Sequence, residues 1–122
     1  NLADLARSLS AFATDMGGEM RHITLIAMTE FGRRVRENSG LGTDHGRAGV
    51  MLVLGGGVRG GKVYAHWPGL EPHQLEEPGD LRVTTDYREV LAEVVWKRLG
   101  NPHIARVFPG VNVRRLGTLG LV

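Results

Sequence analysis

Residues 23–54 read ITLIAMTEFGRRVRENSGLGTDHGRAGVMLVL, and their pattern decides the fold class. Residues 23–28 are apolar apart from Thr24, and residues 50–54 are apolar throughout. Continuity of this kind predicts central strands covered on both faces, as in α/β sheets. Residues 33–48 between them are polar and contain Asn38, Ser39, Gly40 and Gly42, which predicts a long loop. Strand interiors pack, while strand ends and loops carry chemistry. The first strand opens onto Thr29-Glu30-Phe31-Gly32-Arg33, and the loop carries Thr43-Asp44-His45-Gly46. A site visible in this sequence is expected there.

Outward from this stretch, Leu2, Leu5, Leu9, Phe12 and Met16 recur at steps of three and four, the spacing of one helical face. Gly17-Gly18 is the expected stop. A helix starting so early has little chain before it to supply a partner surface, so the chain is expected to begin in mid-domain. On the other side, residues 55–61 (GGGVRGG) turn the chain into a short strand predicted at residues 62–65. Residues 66–79 hold three prolines and are expected to be irregular. Asp86 is the expected cap of a helix, with Glu89 at capping-box spacing. Val90, Leu91, Val94, Val95 and Leu99 give that helix an apolar face, and Gly100-Asn101-Pro102 stops it. An irregular tail is expected from Phe108.

The length of 122 residues suits one domain or part of one. A net charge of +2, dispersed arginines and seven aromatic rings of Phe, Tyr and Trp argue against a nucleic-acid partner. Disulfide and thiol chemistry are excluded, because there is no cysteine. No apolar run approaches the roughly 20 residues of a membrane span.

Gly56 to Lys62 fits the G-x-x-x-x-G-K part of a phosphate-binding loop. Val63 stands where the magnesium-binding hydroxyl is needed, and a strand rather than a helix is expected next, so a glycine-rich turn is the better reading. Asp44-His45 offers carboxylate and imidazole, ligands for zinc or manganese, but a zinc site needs about three protein ligands. Glu30 is a candidate third. The alternative is that Asp44 caps a turn and His45 is a solvated loop residue. Glu30 and Arg33 form either an acid–base or anion-binding pair or a simple salt bridge. No Ser, His and acid arrangement supplies a nucleophile.

The run MTEFGRRVRENSGLGTDHGRAGVMLVLGGGVRGGKVY, followed by HWPGL, VTTDYREVLAEVV and VFPG, resembles the C-terminal part of the DUF1501 family, whose function is uncharacterised. That family resembles the alkaline phosphatase and sulfatase superfamily. The resemblance implies an α/β chain forming part of a three-layer α/β/α sandwich with a mostly parallel sheet, all 122 residues being one C-terminal segment. Superfamily members carry an Asp-His-Gly metal motif at a strand end and a further metal-binding His in a later loop. Here the first position reads Glu30-Phe31-Gly32, and Phe31 replaces a ligating imidazole. His45 matches the later element.

The implied function is metal-dependent hydrolysis of a phosphate or sulfate ester. Glu30, Asp44 and His45 would hold a divalent metal, zinc or manganese, and Arg33 would contact the anion. The superfamily's nucleophile lies on N-terminal strands that this chain does not include, so the remainder of the domain or self-association is the expected partner. Family members often carry a twin-arginine export signal, which implies an extracytoplasmic location. The alternative is a non-catalytic relative that binds a ligand or partner, in which Glu30 pairs with Arg33 or Arg34.

Overall fold

The structure is a computed structural model, and it describes residues 2–112 and 120–122. It mixes helix and strand. The helix α1 (Leu2–Met16) has no buried residue, so its apolar stripe is left largely open. A 3₁₀ turn at Gly17–His22 leads into β1 (Thr24–Ala27). β2 (Gly32–Glu37) and β3 (Thr43–Gly46) form a hairpin, and β4 (Leu52–Gly55) returns to pair with β1. α2 (Tyr87–Lys97) and the short α3 (Ile104–Val107) complete the elements described. Of the irregular tail expected after Phe108, residues 113–119 lie outside the described set.

Both sheets are two-stranded and antiparallel. A mostly parallel sheet between helical layers is not seen among the described residues. β1 and β4 fall where the two apolar runs predicted strands, but they pair with each other in register Thr24↔Gly55 to Ala27↔Leu52. Continuous apolar sequence reports burial, not strand direction. Nor are these strands covered on both faces: β1 is half-buried along its length and Leu52 of β4 is exposed. Gly55, with φ of +124°, and Gly56 let the end of β4 lie on the backbone of residues 21–23; a Cβ at Gly56 would stand 1.9 Å from the Arg21 carbonyl oxygen.

The expected loop of residues 33–48 is instead the β2–β3 hairpin. Its strand sequences show no alternation, and the turn organises it. Asn38 Oδ1 accepts from the Gly40 and Gly42 amides, and Leu41 adopts φ of +58°. Gly32 is buried against residue 48, whose carbonyl accepts from the Arg33 amide. The strand expected at residues 62–65 is irregular, and no described strand pairs with it.

The buried apolar residues described are Ala92, Val94, Ile104, Val111 and Leu121. Ala92, Ile104 and Val111 pack together, with Val95 and Phe108 against them. α2 supplies this core partly through the expected face, with Val94 buried and Val95 packed against the cluster. Leu99, past the end of the helix, is 73% exposed, and the unexpected Glu93 is fully buried. Glu93 Oε1 accepts from Lys97 Nζ at 2.9 Å and from the Leu121 amide at 2.8 Å, so the carboxylate ties residues 121–122 to the helix. No described helix is long and apolar enough to cross a membrane.

Candidate functional site

The four predicted site residues part company at β3. Successive residues of a strand point to opposite faces. Asp44 turns to Arg34, 3.8 Å away, and accepts from Asn38 Nδ2 at 2.9 Å. Arg34 also lies 3.5 Å from the buried Asp80, so Asp44 belongs to an ion-pair chain fastening the hairpin to residues 76–80. His45 faces the other way and stacks on Phe31, with ring centroids 3.7 Å apart and planes 25° from parallel. Arg33 stands opposite His45 in the ladder, its guanidinium 5.7 Å from the Phe31 ring and 2.6 Å from the Thr43 carbonyl. Glu30 is exposed at the end of the β1 run. The expected pairing of Glu30 with Arg33 or Arg34 is replaced by Arg34 with Asp44 and Asp80.

Asp44 and His45 thus face opposite sides of β3, and Glu30 lies apart at the end of the β1 run. Among the described residues no three His, Asp or Glu side chains gather into a group that could hold one.

A different set does converge. A cleft of about 1420 Å³ opens beside β4. It is lined by the end of the first apolar run, with Glu30 and Phe31, by Thr85, Asp86 and Arg88 at the start of α2, and by residues 60–68. Asp44, His45 and Arg33 are not among its lining residues.

The α2 wall is well organised. Asp86 caps the helix by accepting from the Arg88 amide at 2.9 Å. The Arg88 guanidinium bonds both Asp86 oxygens, at 3.0 and 2.6 Å, and this holds the Asp86 carboxyl below its usual range. Lys62 leans over the Tyr64 ring at 4.7 Å. Arg82 reaches the His73 carbonyl at 3.4 Å. Of the cations on the cleft, Arg47 is paired with Glu76 and Arg88 with Asp86, while among the described residues Lys62 meets the Tyr64 ring and Arg82 the His73 carbonyl. The sequence held the clue in the GGK and T-T-D-Y-R motifs, but only the fold brings them to one cleft with Glu30.

The chain matches the model of a protein family described as "Protein of unknown function (DUF1501)" over residues 1–107. It belongs to the DUF1501 family. No curated protein and no solved structure matches it. In this DUF1501 chain the T-E-F-G-R and T-T-D-Y-R motifs meet at the cleft, while the T-D-H-G motif builds the hairpin beside it, with only Gly46 reaching the lining.

Proposed function

We propose that this DUF1501 chain is the C-terminal segment of an α/β domain of the alkaline phosphatase and sulfatase kind, and that it binds a small anionic ester in the cleft between Glu30–Phe31 and the start of α2. The observation that carries the reading is convergence. Motifs spread from Thr29 to Arg88 line one cleft, whose four Lys and Arg side chains outnumber its two carboxylates. Lys62 and Arg82 are the anion contacts in this reading, in place of Arg33. Such cations attract phosphate and sulfate, and a low-dielectric wall strengthens the attraction.

Calorimetric titration with inorganic phosphate and sulfate tests it. Lys62→Gln and Arg82→Gln should each weaken binding several-fold, while Arg33→Gln leaves it unchanged. Equal weakening by Arg33→Gln, or no binding by the wild type, would overturn the reading.

Metal-assisted hydrolysis is the second reading. Glu30 favours it, as an exposed carboxylate at a strand end on the cleft wall. In that reading Glu30, Asp44 and His45 would hold the metal, which would polarise an ester oxygen. Elemental mass spectrometry after incubation with zinc or manganese decides. Stoichiometric metal lost in both Glu30→Ala and His45→Ala would restore the hydrolase reading, and metal retained in His45→Ala would remove His45 as a ligand.

A further inference from the structure

The stretch that leads into Lys62 has little of its own to hold it. Gly60 and Gly61 carry no side chain, and a Cβ at either would meet nothing within 4 Å, so no packed neighbour fixes the turn. Gly61 takes φ of +76°, and Val63 is 89% exposed. Two successive glycines leave the backbone many conformations. Lys62 nonetheless has a defined place, its ammonium 4.7 Å from the centre of the Tyr64 ring. That placement has to come from the residues flanking the turn, Arg59 and Tyr64.

Both are tied to residues 120–122. The Arg59 amide donates to the Leu121 carbonyl at 2.8 Å. The Tyr64 hydroxyl has one proton, and it reaches the Arg59 carbonyl at 2.8 Å and the Gly120 carbonyl at 3.2 Å. On their other side, residues 121–122 hang from α2. Glu93 Oε1 accepts from the Leu121 amide at 2.8 Å, from the Val122 amide at 3.3 Å and from Lys97 Nζ at 2.9 Å. Glu93 Oε2 is buried with no hydrogen-bond partner among the described residues. Burying a carboxylate is costly unless it is paired and bonded. Here every donor meets the one oxygen that holds residues 121–122, so the charge serves that contact.

We infer that Glu93 and Tyr64 are positioning residues for Lys62. Glu93 fixes residues 120–122, these fix the Tyr64 hydroxyl, and the Tyr64 ring holds the Lys62 ammonium at the cleft. An ammonium already held over a ring loses less rotamer freedom when it meets an anion. The inference rests on the anion reading for its purpose, but the placement of Lys62 is measured with no anion present.

Lys62 and Lys97 are the only lysines, so nuclear magnetic resonance of the full chain tells their ε-methylene protons apart. Protons above an aromatic ring move upfield, and those of Lys62 should stand upfield in the wild type. Tyr64→Phe keeps the ring and removes the hydroxyl. Glu93→Gln keeps the shape and an acceptor oxygen and removes the charge. Each should reduce the upfield shift by about half and weaken phosphate binding on the order of threefold, with the far-ultraviolet dichroism unchanged. Because the two act in series, the double variant should lose no more than the single ones. The Leu121 amide, which Glu93 holds, should exchange on the order of threefold faster in Tyr64→Phe. An upfield shift unchanged in either folded single variant, or losses that add in the double one, overturns the inference. Unchanged Leu121 exchange in Tyr64→Phe also overturns it, even where Glu93→Gln does not fold. A wild type that binds no phosphate, with the shift still falling in both variants, overturns the anion reading and supports the placement of Lys62.

Discussion

Single residues in this protein do unequal work, and the glycine that opens β2 does the most for its size. A Cβ on Gly32 would stand 1.7 Å from the Ala48 carbonyl oxygen, the acceptor of the Arg33 amide. That atom is backbone and cannot swing aside. Gly32→Ala should therefore cost on the order of 2 kcal/mol or more in urea unfolding, with the hairpin amides losing their exchange protection. Asp86 is a gentler case. Asp86→Ala removes the α2 cap and should cost about 1 kcal/mol. Asp86→Asn keeps a capping oxygen and loses only the charge facing Arg88. Because Arg88 lowers the folded-state value, the charge contributes stability above the unfolded carboxyl range and loses it as pH falls through the folded value. The gap between wild type and Asp86→Asn should be full above about pH 5 and close on acidification below about pH 4. A gap that widens in acid would refute the assignment. At this scale the sequence was half legible: the capping role of Asp86 follows from its position, whereas the separation of Asp44 from His45 needed the strand to be known.

Among the elements, those with a strong period or a continuous apolar run were readable, and those held by specific turns were not. α1 and α2 announce themselves by spacing and stops, and β1 and β4 by apolar continuity. The β2–β3 hairpin hides because GRRVRE offers Val35 as its one apolar side chain, and the ladder shifts register between Arg33 and Glu37. Its order comes from Asn38, whose amide serves two glycine amides and the Asp44 carboxylate. Asn38→Ala should cost about 1–2 kcal/mol and release the hairpin before the rest of the chain. Amide exchange at residues 33–46 reads this directly; loss of protection spread evenly over α2 would contradict it. The inward face of α2 was only partly legible for a related reason: Val94 and Val95 were expected there, Glu93 was not. Glu93 is polar in sequence yet wholly buried, because residues far along the chain supply its donors. Spacing assigns a side chain to a face, but only tertiary contacts decide whether that face is inside.

For the molecule as a whole, residues 120–122 join α2 to the stretch after β4, through Glu93 on one side and Arg59 and Tyr64 on the other. The core of Ala92, Ile104 and Val111 belongs to α2, α3 and the turn after α3, while the β1–β4 ladder stands on residues 20–23 and the hairpin on residues 76–80. Arg98 is a tie between the helix and the first ladder, bonding the Thr24 hydroxyl at 3.2 Å and the Arg21 carbonyl at 2.9 Å. Cooperative unfolding needs apolar burial shared between parts, and here much of the apolar border faces the cleft instead. Ile104→Ala should cost about 2–4 kcal/mol within its own cluster by cavity formation. Native-state amide exchange in low urea should then show α2 and α3 opening at lower free energy than in the wild type, with the β2–β3 amides unmoved. If every amide shifts together, the chain is one cooperative unit and the parts are coupled through more than Arg98 and residues 120–122.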